Sequence, residues 1–286
     1  MVLRSQWTVQ HNYVMSAFSS FPSFDEALPF LHQFVLELVE AYRANEVDSW
    51  SALDTKVKSF FNAECMDRME ALVPGWHKMA SYQDGVTLVH VMCVFLGLYI
   101  MPEFLSMNHM QQQMMKWVIL LHDVEKEPQQ GKRDHAHAFR SAVTAARALP
   151  KLRFPVTTEY DSLINNWSEF TTSAITKSEH SLDVIQDNRK LPEILNGIAK
   201  LFGNNAAALI IKTILFHLSV DMQLWPPAAP LTEVEVKRYF DPELIPMLRV
   251  MNLGDGEGWN MFHESRETLR NDTLEAFSKI EQIISD

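Results

Sequence analysis

Residues 117–121, Trp-Val-Ile-Leu-Leu, are wholly apolar and stop at His122-Asp123, with Lys126 one helical turn further on. This run constrains the fold because polar groups at the edge of a core cost free energy unless they are paired. A fold that buries it must bring partners to the imidazole and the carboxylate. A divalent cation is one such partner, since neutral imidazole nitrogen and carboxylate oxygen are ordinary metal ligands.

The rest of the chain reads as helix. Nine glycines in 286 residues are less than half the usual share of roughly 7%. Few tight turns are therefore available, which argues against a sandwich or a barrel, and the good helix formers Leu, Met, Ala, Glu and Lys are abundant. The fold class expected is all-α. Apolar spacing predicts helices over 25–44, 47–61 (with Asp48 as N-cap), 84–101 and 110–122. Gln111–Gln113 read as a solvated face or a helix start. A loop over 125–133 holds Pro128 and Gly131. The next helix runs from an Asp134 N-cap through Ala148. Further helices are expected over 191–202, 206–225, from a Thr232/Glu235 capping pair to about Tyr239, over 241–253 and over 259–285. Residues 154–188 are rich in Ser, Thr, Asn and Asp, and read as a polar insertion or lid that covers a site. The division expected is N-terminal helices over 1–80 packing on a helical domain over 81–286.

Charge and cysteine content narrow the function classes. A net charge of −11 disfavours non-specific binding of nucleic-acid backbones, which needs basic stripes. Cys65 and Cys93 lie far apart and outside any CxxC motif, so neither a disulfide framework nor a zinc ribbon is expected, and the cytoplasm is the simplest home. The apolar run 86–101 contains His90 and has about sixteen residues, short of the roughly 20 that span a bilayer. It reads as a core helix, and no membrane partner is expected. The N-terminus shows no signal-peptide pattern.

Four places put His or Asp on otherwise apolar helices: His90, His122-Asp123, His217 and Asp255, with His137 opening the helix between the second and the third. A single histidine in such a setting is more often a hydrogen-bonded core residue than a ligand. Their recurrence in this order is the stronger signal. Leu121-His-Asp-Val-Glu-Lys126 resembles the Leu-His-Asp-Ile-Gly-Lys signature of the HD-domain superfamily of metal-dependent phosphohydrolases. His137-Ala-Phe-Arg-Ser-Ala142 is similar to its His-x-x-x-(Gly/Ser)-Ala element. The stretch from Asp241 to Asp255 resembles the helix that delivers its last aspartate. The resemblance covers about 82–259. The chain departs from the pattern at Glu125, where the family has glycine, and at Leu218, where a second late histidine is common.

The resemblance implies an HD-domain-like helical bundle with extra N-terminal helices. It implies a primary metal held by His90, His122, Asp123 and Asp255, with His137 and His217 adding a second ion and Asp123 bridging. Asp221, four residues after His217, competes with Asp255 as the closing ligand. One or two divalent ions are expected, and Fe, Mn, Zn, Co and Mg all suit mixed His/Asp ligation. The catalytic roles fall to Asp123 and Lys126. Lys126 and Arg140, each three positions after a ligand, are candidates to hold phosphate; Lys132, Arg133 and Arg147 share the same basic stretch. The partner implied is a small phosphorylated substrate, a nucleotide above all. Two alternatives stay open: a non-catalytic metal- and nucleotide-binding module, suggested by Glu125 and the missing second late histidine, and a di-iron oxygenase. His77, His109, His180 and His263 read as surface or packing residues, with a lid role as the alternative for His180. The Met-rich stretch 107–115 reads as core filler.

Overall fold

The structure, a computed structural model, describes residues 21–126, 134–177 and 184–286. The loop signals Pro128 and Gly131, the cations Lys132 and Arg133, and His180 lie outside the described residues. The fold is all-α. Its helices are α1 (Phe24–Ala27), α2 (Pro29–Arg43), α3 (Trp50–Phe60), α4 (Ala63–Leu72), α5 (Trp76–Ser81), α6 (Val86–Leu98), α7 (Pro102–Leu105), α8 (His109–Leu121), α9 (His137–Ala148), α10 (Tyr160–Thr172), α11 (Leu191–Phe202), α12 (Ala206–Phe216), α13 (Glu233–Tyr239), α14 (Leu244–Asn260) and α15 (Arg266–Ser285). Two three-residue strands, β1 (Ile175–Lys177) and β2 (Val184–Gln186), form an antiparallel hairpin.

Helix α6 is the central element. Every residue from Thr87 to Leu98 is buried, as expected of a helix that is apolar all round. It packs on α14 along one side and meets α2, α3, α5 and α8 on others. The approach to α14 depends on two glycines four residues apart, hence on one helix face. A Cβ on Gly254 would lie 3.2 Å from Val94 Cγ1, and one on Gly258 only 2.4 Å from Val94 Cγ2. Glycine inside a helix costs about 1 kcal/mol relative to alanine. Here it permits close contact between two helices that both carry site residues.

The N-terminal helices join the same buried apolar cluster as the rest of the chain. Gln113 is a buried clamp and not part of a solvated face: its side-chain carbonyl accepts from Phe24 N at 2.8 Å, and its amide donates to Asp25 at 2.7 Å. Gln111 closes a capping box with Asn108 at the start of α8. The N-cap of α3 is Ser49, which accepts from Ala52 N, and not Asp48.

Several boundaries differ from the sequence pattern. Helix α12 stops at Phe216, well short of 225, because the next amides find other acceptors. Ser219 N turns back to Phe216 O, and Gln223 N and Leu224 N both donate to the Asp272 carboxylate. Helix α9 begins at His137, not at Asp134. Helix α14 continues through the three glycines to Asn260 instead of closing at Leu253, held by its packing on α6. Within the described part of the polar segment, Trp167 packs into the fold, buried with its indole N–H on Ile194 O at 2.9 Å. Strand β2 is tied to the chain ahead of α9 through His135 N and Val184 O. Cys65 and Cys93 are both free. Among the described residues no helix is long and apolar enough to cross a membrane.

Candidate metal centre

Five elements converge on one point: α6 brings His90, the end of α8 brings His122 and Asp123, the first residue of α9 is His137, the end of α12 brings His217, and α14 brings Asp255. Ligand atoms of His90, His122, Asp123 and Asp255 all lie within 4.8 Å of one another, and so do those of Asp123, His137 and His217. In the first group, His90 Nε2 is 2.8 Å from Asp255 Oδ1 and 3.6 Å from Asp123 Oδ2. His122 Nε2 is 3.6 Å from Asp123 Oδ2 and 3.8 Å from Asp255 Oδ1. Two ligands bound to one ion at about 2.1 Å can stand at most about 4.2 Å apart, and all four spacings satisfy that limit. Asp123 presents Oδ2 to this group and Oδ1 to His137, 2.9 Å away, the disposition of a carboxylate able to bridge two ions.

The histidines are oriented for ligation. His122, His137 and His217 each set Nδ1 on the carbonyl three residues earlier, those of Ile119, Asp134 and Ile214. A ring that donates from Nδ1 turns the Nε2 lone pair inward. The Nε2 atoms of all four histidines, with Asp123 Oδ1 and Asp255 Oδ1, are buried and make no directed hydrogen bond. The short separations of His90 from Asp255 and of His137 from Asp123 are thus approaches without hydrogen-bond alignment. Buried polar atoms are rarely left so, and six of them in two groups that share Asp123 fit one or two cations. These residues could hold a metal ion, and the donor set does not select its identity.

His90 is the exception to the tether pattern: its Nδ1 is also buried without a hydrogen bond. Its ring stacks on Trp259, with centroids 4.1 Å apart and planes at 14°. A Cβ on Gly258 would fall 2.7 Å from His90 Cε1, so that glycine also makes room for the ring. Trp259 is the site residue that sequence reasoning missed. The signal was present, since Trp259 lies four residues after Asp255 and so on the same face of a continuous helix.

Electrostatics hold Asp123, Asp255, His122 and His217 in their binding forms. Burial opposes ionisation of Asp123, but the adjoining His122, Lys126 and His137 outweigh it and hold the carboxyl well below the usual range. For Asp255, burial is likewise outweighed, by the contact and charge of His90 and by Lys126. Burial lowers the pKa of His122. Burial, reinforced by His137 and His122, lowers that of His217 to about 3. For Lys126, burial is overcome by Asp123 and Asp255, so the ammonium is retained.

The expected phosphate ligands part company. Lys126 Nζ donates to Asp123 Oδ2 at 2.6 Å, sits 5.1 Å from the centroid of the Trp259 ring, and lines a cavity of about 290 Å³ that opens on the site. Arg140 does not line that cavity: its guanidinium pairs with Asp134 and donates to Glu125 O. Through Asp134, whose carbonyl receives His137 Nδ1, it braces a ligand instead. Glu125 does not intrude on the site either. Its carboxylate accepts from Thr144 at 2.8 Å and faces Lys78, and its backbone is not among the positive-φ residues, so the turn requires no glycine.

The remaining candidates lie elsewhere. Asp221 is exposed, beyond the end of α12, and belongs to neither ligand group. Arg147 bonds Ser168 and Asn165. His77, His109 and His263 are exposed. No described residue of 154–188 lines the cavity; its wall comes partly from Met222, Trp225, Pro226 and Pro227, the first two in the stretch expected as helix to 225. Comparison with family models, with curated proteins and with solved structures gives no match to this chain.

Proposed function

We propose that the chain is a metal-dependent phosphohydrolase of the HD-domain kind, cleaving a phosphomonoester or phosphodiester of a nucleotide. One observation carries this reading: six buried ligand atoms without directed hydrogen bonds meet beside an ammonium at the end of a cavity. A divalent ion held there supplies charge stabilisation for a phosphoryl group and acidifies water. Asp123 fixes Lys126 by their 2.6 Å contact, and the ammonium meets a phosphoryl oxygen entering from the cavity. In the reaction, water adds to phosphorus as the ester P–O bond breaks, and the proton passes to the leaving oxygen. Arg140 has no part in holding phosphate in this reading.

The turn of the Glu125 carboxylate toward Thr144 and Lys78 answers one of the two departures that favour a decayed site. With both cysteines free, the reading assigns the chain to a reducing cytoplasm. The test is elemental analysis of protein purified without a chelating tag, beside a phosphoester screen. His122→Ala and Asp123→Ala are expected to lose metal and activity together. Full activity in metal-free protein would sink the reading.

A further inference from the structure

We infer that the cavity beside the ligand cluster is a subsite for a flat, apolar group on a substrate that carries a single phosphate. The inference rests on the phosphohydrolase reading and narrows its substrate. Charge is the first ground. Among the described residues lining the cavity, Lys126 is the only lysine or arginine, beside the carboxylates of Asp134, Asp255 and Asp272. Lys126 is already paired with Asp123, and Arg140 is turned away to Asp134. With Asp134 paired to Arg140, two divalent ions and Lys126 would bring five positive charges against the three carboxylates Asp123, Asp255 and Asp272, a surplus that one phosphate dianion would match. That balance suits one phosphate group.

The walls are the second ground. The segment that follows α12 contributes Val220, Met222, Trp225 and Pro226, and α14 contributes Trp259. Trp225 is 53% exposed and lies outside any helix or strand. The segment is held in place by Asp272, which accepts from Gln223 N at 3.1 Å and Leu224 N at 2.9 Å. A half-exposed indole fixed at the wall of an apolar cavity gains by covering a ligand's ring. The volume of about 290 Å³ is at the lower end of the roughly 300–1,000 Å³ of small-molecule sites, enough for one ring system and its linker. Taken with its apolar walls and its joining to the ligand cluster, that volume assigns the occupant as the organic part of the same substrate whose phosphate reaches the ligands.

The test compares 2-(1-naphthyl)ethyl phosphate, ethyl phosphate and tripolyphosphate on the full chain loaded with Mn²⁺. Both esters release a primary alcohol, so leaving-group chemistry is matched. The naphthylethyl ester is expected to have kcat/KM at least about ten-fold above ethyl phosphate, with tripolyphosphate poorest, the size of effect that one stacked ring gives. In Trp225→Ala the ratio of the two esters should fall about ten-fold through KM, and Trp225→Phe should restore most of it. Binding of 2-(1-naphthyl)ethylphosphonate, followed by calorimetry, separates this inference from the catalytic reading. Trp225-dependent binding without turnover of any ester supports the subsite and removes the hydrolase. Turnover of both esters with no preference, or a preference that survives in Trp225→Ala, overturns the subsite and leaves the hydrolase. Tripolyphosphate as the best substrate, or no binding by the phosphonate, also overturns the subsite.

Discussion

His90 and Trp259 stack face to face, 4.1 Å between centroids, and this contact replaces the carbonyl tether that orients the other three histidines. A tether fixes a ring through one directed hydrogen bond. A stack fixes its plane but leaves rotation within the plane to the ligand it binds. Stacked aromatic pairs contribute about 0.5–1.5 kcal/mol beyond their buried area. Trp259→Ala is therefore expected to weaken the first metal position by up to about ten-fold, and Trp259→Phe to recover most of the loss. Titration with Co²⁺, followed by its visible bands, measures both. Wild-type affinity in Trp259→Ala would show that the stack orients nothing.

Arg140 is expected to act on the second metal position, not on substrate. It pairs with Asp134, whose carbonyl receives Nδ1 of His137. Arg140→Ala should reduce bound metal from two ions toward one, with KM for a phosphoester changed less than about two-fold. Loss of such a partner of a ligand costs about 10–100-fold in affinity or activity. A large rise in KM at full metal content would restore Arg140 to the phosphate site.

Gly258 tests the helix contact. Its Cβ would overlap Val94 and His90 at 2.4 and 2.7 Å, so Gly258→Ala must push α14 from α6. Overpacking of this kind costs about 1–3 kcal/mol. The gain in helix propensity, about 1 kcal/mol, offsets part of that. A lowered melting temperature with weakened metal binding is expected; an unchanged melt would mean that the helices can part freely.

Acid should destabilise the metal-free protein in a definite window. The imidazole of His217 falls from an ordinary 6.5 to about 3 in the fold, through burial first and its histidine neighbours second. Between those values the unfolded chain binds the extra proton, so stability rises with pH there. The contribution is complete above about pH 6.5 and is lost as pH falls toward 3. Denaturant melts of chelator-treated protein from pH 7 to 4 should show this slope, and His217→Gln should flatten it. Equal slopes for the two proteins would contradict the burial of a neutral His217.

The sequence by itself determined the all-α class, the apolar helices, and the Thr232/Glu235 cap, because glycine scarcity, periodicity and capping chemistry are local. It also singled out six residues that the fold brings to one point, because polar side chains at the ends of apolar runs are visible in one dimension. Tertiary structure decided the rest. Helix α14 runs through three glycines only because α6 lies against it, whereas propensity alone ends it early. Helix α12 ends at Phe216 because Asp272, distant in sequence, takes the amides of 223 and 224. Trp259 joins the site, Arg140 leaves the cavity and the Glu125 carboxylate faces Thr144 for the same reason. Each depends on which neighbour a side chain meets across the core, and spacing along the chain carries no record of that.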